Sequence, residues 1–371
     1  MIVPLADAVA DSCGGKAAAQ ATLMRAGLPV PGGFVLPFAI YRSMSQHFDS
    51  ALLAAIASGL AELGDPTVAV RSSASNEDTT ARSAAGQYKT FLGVRGVRAV
   101  AEAVKSCWAS CAGVEGNPAM AVLIQRHIDA DVSGVMFTPP EMRGDTKIEA
   151  SWGLGPSVVG GTVTPDTFHV SAEEVVTKFL ASKATRIDRQ GTHLVTQQVQ
   201  ASHREKPALG EQTAIRLAKL GQRIAELLGG AQDVEWSIAG GRIWILQARP
   251  VTALPPMSIG TPSDTLLTGT PGSHGTATGT ARVVRGPADF DRVRPGDILV
   301  SRYTDPGWTP LLRLVSGVVT ETGGVLSHAA IVAREHGIPA VLAIANATTA
   351  IPDGATITVN GTAGTVTTEE V

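Results

Sequence analysis

The chain has 371 residues, of which 44% are hydrophobic and 17% are charged, and its formal net charge is −3. This length predicts two or three domains, and the lack of a basic block in the sequence argues against nucleic acid as a partner. The apolar stretches are too short or too interrupted to cross a bilayer, and the N-terminus does not resemble a signal peptide, so no membrane partner is expected. Three cysteines without a CxxC pattern argue against a disulfide framework, and we expect a cytoplasmic protein.

Strand and helix signals alternate over the first 250 residues. A glycine turn opens one helix, an amphipathic helix ends at a pair of glycines, and two strands around an Ala-Gly-Gly turn form a hairpin. Two further strands flank the short turn HIDAD, and the apolar run TVAVR is typical of a buried strand. The predicted helices are 15–26 and 212–228, and the predicted strands are 67–71, 119–126, 132–138, 233–238 and 242–247.

Pro, Ser, Thr and Gly cluster in residues 251–267, where charge nearly vanishes, and this composition predicts an exposed linker. We therefore place one domain at 1–250 and a second at 268–371. Alternation of strands and helices predicts the α/β (α+β) class for both. The second domain has a helix signal at 327–335 and strand signals at 275–284, 297–301, 315–320, 338–343 and 356–359.

The stretch TETGGVLSHAAIVAREHGIP places two glycines and His328 between a buried strand and a helix. Glycines let a phosphate approach the backbone closely, and the first N–H groups of a helix favour negative charge. A histidine in this position can accept a phosphoryl group on a ring nitrogen. The stretch alone leaves open the alternative of a capping or core histidine after a glycine turn.

The tail closely resembles the swivelling phosphohistidine domain of the dikinase family, which includes pyruvate phosphate dikinase, phosphoenolpyruvate synthase and rifampin phosphotransferase. The resemblance runs from LTGTPGSHGTATGTARVV through GDILVSRYTDPGWTPLL and TGGVLSHAAIVAR to DGATITVNGTAGTV. It implies that His328 is the phosphorylated residue. Arg334, two turns later, either binds the phosphate or pairs with a carboxylate. The resemblance also implies that four residues shape the histidine's loop: Thr322, Gly323, Gly324 and Ser327.

The first 250 residues resemble the ATP-grasp nucleotide-binding domain of the same family almost end to end. The matching stretches include GGKAAAQATLMRAGLPVPGGF, VAVRSSASNEDTTARSAAGQYKTFLGV, IEASWGLGPSVVGGTVTPD and DVEWSIAGGRIWILQARP. The resemblance implies ATP as the cofactor, with Lys16 and Arg71 at its phosphates. Lysine supplies a point charge and arginine binds phosphate oxygens in pairs, so both residue types suit that role. Three residues after Arg71 resemble phosphate-loop positions: Gly86, Gln87 and Thr90.

The hairpin carries the predicted metal ligands. Glu235 and Gln247 lie on its two strands, and a carboxylate with an amide oxygen suits Mg²⁺, which prefers hard oxygen ligands. Arg249 follows on the same side of the strand as Gln247 and can neutralise developing phosphate charge. By resemblance, Glu149 is a nucleotide-site acid, and Gln125 lies near the adenine or the ribose. The predicted catalytic residues are His328, Arg71, Arg249 and Lys16.

These resemblances imply a dikinase-type, AMP-forming phosphotransferase that moves the β-phosphoryl group of ATP to His328. The second domain would then swing on the linker and pass this group to a small-molecule acceptor. Relatives carry a pyruvate-binding barrel or a helical substrate domain, and neither is recognisable in this sequence, so the acceptor is open. Two alternatives remain: a donor subunit that serves a separate acceptor protein, and a ligase that activates its substrate with the phosphoryl group. A degenerate nucleotide-binding protein is disfavoured, because the predicted site residues are all present.

Overall fold

The computed structural model describes residues 2–43, 50–75, 89–111, 119–139, 144–251 and 266–368. Strands and helices alternate along the chain, so the predicted α/β class is confirmed. We call residues 2–251 the N-terminal part and residues 266–368 the C-terminal part. Among the described residues, no helix is both long and apolar enough to cross a membrane.

The first sheet of the N-terminal part consists of five strands. They are β1 (Val3–Pro4), β2 (Gly33–Leu36), β3 (Val68–Ala74), β4 (Thr90–Val94) and β5 (Met120–Arg126). Their order in the sheet is β1-β2-β5-β3-β4, with every pair antiparallel. The helices of this region are α1 (Ala10–Arg25), α2 (Phe38–Ser43), α3 (Ser50–Glu62) and α4 (Val97–Ala109).

Strand β3 illustrates how alternating side chains prepare a site. Val68 and Val70 lie in an apolar cluster with Ile56 of α3 and Val104 of α4. Arg71 points to the opposite face, because neighbouring side chains on a strand face opposite sides. One side of β3 therefore belongs to the core, and the other side carries a cation.

Eight further strands follow in the N-terminal part. They are β6 (Val132–Phe137), β7 (Thr146–Trp152), β8 (Asp166–Val170), β9 (Val176–Phe179), β10 (Thr185–Gln190), β11 (His193–Gln198), β12 (Gln232–Ala239) and β13 (Arg242–Pro250). Six of them form an antiparallel sheet in the order β13-β12-β6-β7-β8-β9, and β10 and β11 form a separate two-stranded sheet. The accompanying helices are α5 (Pro156–Val159), α6 (Ala201–Arg204) and α7 (Glu211–Leu228).

The two faces of the six-stranded sheet differ in chemistry. Val234, Trp236, Met136 and Phe168 lie on one face, in the large apolar cluster that also contains side chains of α1 and α7. Because side chains alternate along each strand, Glu235 lies on the opposite face. We call the face that bears Glu235 the polar face.

Two details differ from the sequence-based expectation. The strands on either side of HIDAD exist, but β5 belongs to the first sheet and β6 to the second, so this turn crosses between the sheets. The helix expected at 15–26 begins earlier, at Ala10, and is kinked at Gly14, where φ is 79° and ψ is 164°. Both differences arise from contacts with distant residues, which local sequence patterns do not record.

The C-terminal part contains one sheet of eight strands. They are β14 (Leu266–Thr268), β15 (Thr270–Ser273), β16 (Thr276–Val284), β17 (Ile298–Ser301), β18 (Gly317–Thr320), β19 (Ala340–Leu342), β20 (Thr356–Asn360) and β21 (Thr365–Thr368). The order is β14-β21-β20-β16-β17-β18-β19-β15, and β16 to β19 are parallel neighbours. The helices are α8 (Thr309–Leu312), α9 (His328–His336) and α10 (Ala347–Ala350).

The loop before α9 begins at the carboxyl end of a parallel strand. β18 is buried throughout and ends at Thr320, and α9 begins at His328. Ligand sites in parallel α/β sheets commonly lie at such strand ends. The predicted linker at 251–267 lies outside the described residues except for 251 and 266–267, so the proposed domain limits of 1–250 and 268–371 stay predictions.

Candidate active site

Side chains from both sheets of the N-terminal part meet at one point. Arg71 extends from β3, and Glu235 and Gln247 lie opposite each other on β12 and β13. Nη1 of Arg71 is 3.4 Å from Oε2 of Glu235 and 3.5 Å from Oε1 of Gln247. We call these three residues the Arg71 cluster. They are distant in sequence, and the structure brings them together; that they form one nucleotide site stays a prediction.

The Arg71 cluster suits the predicted Mg²⁺ site in its donor chemistry. The oxygens of Glu235 and Gln247 both face one positive charge, the guanidinium of Arg71. Among the described residues, no group of three or more His, Cys, Asp or Glu side chains could hold a metal ion. Mg²⁺ commonly completes its shell with water and substrate phosphates, so two protein oxygens are a sufficient protein contribution.

Arg249 follows Gln247 by two residues on β13 and pairs with Asp233, the residue opposite it on β12. Its Nε and Nη2 donate to Oδ2 of Asp233 at 2.9 and 2.7 Å. Burial raises the pKa of Asp233, whereas the charge of Arg249 lowers it and that of Glu235 raises it again. The ion pair fixes the Arg249 guanidinium on the hairpin beside the pair formed by Glu235 and Gln247.

The turn before Lys16 lies against the strand that carries Arg71. Gly14 packs on Ser73, and the backbone N–H of Ala17 donates to Oγ of Ser73 at 3.3 Å. Thr90 lies opposite Arg71 in the pairing of β3 with β4. The structure therefore brings Lys16 and Thr90 to the strand of Arg71, whereas Gly86 and Gln87 lie outside the described residues.

The imidazole of His328 is buried between two hydroxyl groups of the C-terminal part. Nδ1 lies 3.0 Å from Oγ1 of Thr304, and Nε2 lies 3.3 Å from Oγ1 of Thr309. The Thr309 hydroxyl donates to the carbonyl of Pro306, so towards Nε2 it acts as an acceptor. Burial lowers the pKa of His328 to about 4, and the nearby Asp305 charge opposes this only in part. The ring is therefore neutral near pH 7 and retains a nucleophilic lone pair.

The loop before His328 contacts the N-terminal part at glycines on both sides. The hydroxyl of Thr322 donates to the carbonyl of Gly161 at 2.6 Å. A Cβ at Gly161 would lie 3.2 Å from Cβ of Ser327 and 3.5 Å from Cα of Gly323, so the two backbones are in close contact. Gly323 has a φ of 111°, which favours glycine. The predicted loop residues thus form a surface that lies on the N-terminal part.

Glu149 and Gln125, which were predicted to lie at the nucleotide, form hydrogen bonds with backbone groups of the protein. Glu149 is fully buried, and its two oxygens accept hydrogen bonds from the backbone N–H groups of Val325 and Leu326, at 2.8 and 3.2 Å. Burial raises the pKa of Glu149, and the charge of Lys147 and these hydrogen bonds lower it in part. The amide of Gln125 donates to a backbone carbonyl, that of Pro31, at 3.0 Å. Their nucleotide roles stay predictions.

Arg334 was expected either to bind the phosphate or to pair with a carboxylate, and the structure shows a hydrogen bond to a backbone carbonyl. Its Nη1 donates to the carbonyl of Gly272 at 2.7 Å, and its buried Nε has no hydrogen-bond partner within the described part of the chain. Burial lowers its pKa to about 10, while the charges of Glu149 and Asp233 raise it. Arg334 therefore faces carboxylates of the N-terminal part from within the C-terminal part.

Sequence reasoning missed several residues that the structure places at the site. Asp233 holds Arg249, Thr304 holds His328, and Gly161 contacts the loop. Asp233 could have been found, because it precedes Glu235 by two residues and so shares its face. Thr304 and Gly161 lie inside the matching stretches GDILVSRYTDPGWTPLL and IEASWGLGPSVVGGTVTPD, but nothing in these stretches singles them out.

Two family models match the chain. The first, "Pyruvate phosphate dikinase, AMP/ATP-binding domain", matches residues 42–262, which is more than half of the chain. The second, "PEP-utilising enzyme, mobile domain", matches residues 293–364. The fold and the site thus define a nucleotide-binding unit joined to a histidine-bearing mobile unit. The chain belongs to the pyruvate phosphate dikinase family, and the predicted ATP-grasp and phosphohistidine types of domain are confirmed.

Curated relatives carry names from the same family. The chain is 33% identical to a probable phosphoenolpyruvate synthase of Methanothermobacter thermautotrophicus, over 95% of this chain and 61% of the relative. It is 32% identical to the phosphoenolpyruvate synthase of Aeropyrum pernix, over 95% of this chain and 56% of the relative. The chain therefore spans 56 to 61% of the length of these relatives. Members of the family use ATP and Mg²⁺ for phosphoryl transfer.

Solved structures add only weak likenesses. A D-alanine–D-alanine ligase from Bacillus anthracis complexed with ATP matches 64% of this chain and 55% of its own, at 9% identity and a TM-score of 0.31. An NMR structure of Enzyme I matches 21% of this chain and 32% of its own, at 32% identity and a TM-score of 0.19. These TM-scores are too low to support a conclusion.

Proposed function

We propose that this chain uses Mg²⁺ and ATP to phosphorylate His328 and then transfers the phosphoryl group to a small-molecule acceptor. The observation that carries the proposal is the contact between the loop before His328 and the polar face that bears Glu235. A neutral histidine beside a nucleotide site is the arrangement that phosphoryl transfer to an imidazole requires.

The roles of the N-terminal residues follow from their charges. Lys16, Arg71 and Arg249 are cations that bind and orient the phosphates of ATP and stabilise the charge that develops during transfer. Glu235 and Gln247 would hold Mg²⁺ through their oxygens, and the ion would supply charge neutralisation at the phosphates. Gly86, Gln87 and Thr90 are proposed to cover the phosphates.

The first half-reaction forms a P–N bond at His328. A ring nitrogen attacks the β-phosphorus of ATP, the bond between that phosphorus and the oxygen that bridges the α- and β-phosphates breaks, and AMP leaves. Water then hydrolyses the β–γ bond and releases phosphate. The neutral ring supplies the electron pair, so no proton need be removed from the attacking nitrogen. The second half-reaction breaks the P–N bond as the acceptor takes the phosphoryl group.

The acceptor stays open. The relatives are named phosphoenolpyruvate synthases, and the chain spans 56 to 61% of their length, so pyruvate is not assigned here. A donor subunit that serves a separate acceptor protein and a substrate-activating ligase are the alternatives. A purified chain that turns over an acceptor by itself would exclude the donor-subunit alternative.

Domain limits and location belong to the same proposal. We place the nucleotide-binding domain at 1–250, the linker at 251–267 and the phosphohistidine domain at 268–371, in keeping with family matches at 42–262 and 293–364. The cytoplasmic location rests on the cysteines: Cys13, Cys107 and Cys111 are all buried and none forms a disulfide.

The test uses ATP labelled separately at the β and γ positions, with Mg²⁺ and the purified chain. We expect β label on His328, detected by mass spectrometry of acid-labile phosphopeptides, together with AMP in solution. His328→Ala should lose the label and keep nucleotide binding. Label from the γ position with ADP would contradict the dikinase proposal, and label retained by His328→Ala would contradict the role of this histidine.

A further inference from the structure

The carboxylate of Glu149 forms a contact that no nucleotide role explains. Both of its oxygens accept backbone N–H groups of the C-terminal part, from Val325 at 2.8 Å and from Leu326 at 3.2 Å. We infer that Glu149 is a positioning residue that docks the C-terminal part on the polar face, so that His328 is presented to ATP. This inference rests on the proposed function, because it assigns Glu149 to the first half-reaction.

The sheet register places this contact beside the proposed metal site. Glu235 pairs with Val135, and Val135 pairs with Glu149, so all three share one face and Glu149 lies two strands from Glu235. Neighbouring strands are about 4.8 Å apart, so the two glutamate backbones are about 10 Å apart. His328 follows the docked segment by two residues, which places it within reach of a nucleotide held at Glu235.

The fit around Glu149 is close. A Cβ at Gly324 would lie 2.5 Å from the carboxylate carbon of Glu149, so only glycine allows this approach. Val325 and Leu326 are buried in an apolar cluster with Val135, Phe137 and Val158 of the N-terminal part. The docking surface therefore has an apolar centre that surrounds a buried carboxylate.

A carboxylate suits a contact that must form and break. Glu149 is buried by the loop that it binds, so undocking returns it to water and docking removes it from water. Desolvation of a charge offsets part of what the two hydrogen bonds and the apolar contacts contribute. An apolar residue in its place would avoid this cost, but it would leave the two N–H groups buried without acceptors, and that loss should destabilise the docked state.

In the docked state both Glu149 oxygens accept hydrogen bonds from the loop and the residue is only 1% exposed, so the docked loop closes the carboxylate to a nucleotide. The docking role and the role of a nucleotide-site acid therefore make different predictions for the same variant: loss of docking in one case, and loss of nucleotide affinity in the other.

Docking can be measured without any catalysis. Ala61 and Ala345 are exposed on the two parts, and the native cysteines are buried, so Ala61→Cys and Ala345→Cys provide a dye pair for energy transfer in the full chain. We expect Glu149→Ala to lower the docking equilibrium constant by roughly tenfold or more, since hydrogen bonds to a charged group are lost. Ser151→Ala is the matched control, because Ser151 lies two residues along the same strand and face and its buried hydroxyl forms no hydrogen bond to any residue that the structure describes. It should dock as the parent chain does.

A double-mutant cycle tests the contact itself. Gly324→Ala adds a methyl group against the Glu149 carboxylate at a backbone position outside the left-handed region, so its effect is steric. It should weaken docking in the parent chain and have a much smaller effect when Glu149 is already alanine. Additive effects of the two substitutions, or unchanged docking in Glu149→Ala, would overturn the inference.

Activity then distinguishes this inference from the proposed function. Glu149→Ala should slow β-label transfer to His328 with little change in ATP affinity, and thermal unfolding of the variant verifies the fold. A parent chain that never labels His328 would refute the proposed function, while the energy-transfer cycle would still decide the docking role. Weakened ATP affinity with intact docking would overturn the inference in favour of the nucleotide-site acid.

Discussion

Burial keeps the imidazole of His328 neutral, and the two threonine hydroxyls that flank the ring orient it. Each hydroxyl can donate or accept, so Thr304 at Nδ1 supports either tautomer of the ring. The Thr309 hydroxyl donates its hydrogen bond to the carbonyl of Pro306, so it can only accept one from Nε2, which favours a proton on Nε2 in the present arrangement. Attack through Nε2 would need the contact between Nε2 and Thr309 to open and the ring proton to move to Nδ1. The Nδ1–H group could then donate a hydrogen bond to the hydroxyl of Thr304.

The depressed pKa of His328 predicts a specific pH response. The folded chain should bind the imidazole proton only near pH 4, compared with 6.5 for an unperturbed histidine. Between these values the unfolded state binds more protons, so stability from this group is full above pH 6.5 and is lost as pH falls towards 4. The maximum loss is roughly 3 kcal/mol. An NMR titration of labelled histidine, with His328→Gln to identify the signal, measures the pKa, and a midpoint near 6.5 would contradict the prediction.

Glu235 is the residue that most directly tests the metal site. Glu235→Gln keeps the side-chain shape but removes one negative charge, so it should raise the Mg²⁺ concentration for half-maximal labelling of His328 by roughly tenfold or more. A Mg²⁺ titration of the labelling rate measures this. Glu226→Gln, on the exposed side of α7, is the control and should titrate like the parent. An unchanged Mg²⁺ requirement in Glu235→Gln would mean that the metal lies elsewhere.

At the scale of elements, side-chain alternation assembles the site from short stretches. β3 contributes Arg71, β12 contributes Glu235, and β7 contributes Glu149, each from the face opposite the core. The glycine-rich turn in α1 has a different function, since it lets the helix approach β3. Its close approach to Ser73 brings the start of the second helical segment, with Lys16, to the strand of Arg71.

The kink at Gly14 supplies the prediction at this scale. A φ of 79° and a ψ of 164° are free of steric strain only for glycine, so alanine at this position should lower the free energy of unfolding by about 1–3 kcal/mol through backbone strain alone. A methyl group there would also lie 2.6 Å from the carbonyl oxygen of Ser73. Gly27→Ala is the control, because Gly27 also has a positive φ but a methyl group would meet open space. Thermal unfolding should rank Gly14→Ala below Gly27→Ala, and ATP affinity should fall only in the former; equal effects would mean that the contact with Ser73 is unimportant.

At the scale of the whole molecule, the proposed function requires the chain to dock its C-terminal part and then release it. The docked surface combines the Glu149 contact, the apolar cluster of Val325 and Leu326, and the hydrogen bond from Thr322 to Gly161. Interfaces between domains of a chain are commonly of this mixed, reversible kind. His328 is covered in this state, so transfer to an acceptor needs a second arrangement.

Shortening the predicted linker tests that second arrangement. Removal of about half of residues 252–265 should leave β-label transfer to His328 largely intact and should block transfer onward to an acceptor, because reach falls with linker length. A Gly/Ser replacement of equal length is the control and should support both steps. Single-turnover labelling and the discharge of labelled chain by water or acceptor measure the two steps, and equal loss of both would argue against a swinging domain.

Much of the fold and part of the site could be predicted from local sequence. The hairpin with Glu235 and Gln247, the amphipathic helix ending before two glycines, and the strand–glycine–helix stretch around His328 all depend on neighbouring residues in the chain, and all are present. The pairing of strands outside the hairpin, the kink at Gly14 and the partners of Glu149 depend on residues far away in sequence. Such contacts leave no periodic pattern, so they could not be predicted.

The sequence by itself determined the α/β class, the family and the identity of the candidate phosphorylated histidine, because apolar periodicity, glycine turns and a long specific motif are local properties. Only the tertiary structure decided that Arg71 meets Glu235 and Gln247, that two threonines hold a neutral His328, and that Glu149 binds the loop before it. The physical reason is that hydrogen bonds and burial depend on distance in space. Sheet register and docking set those distances, and no short stretch of the chain contains them.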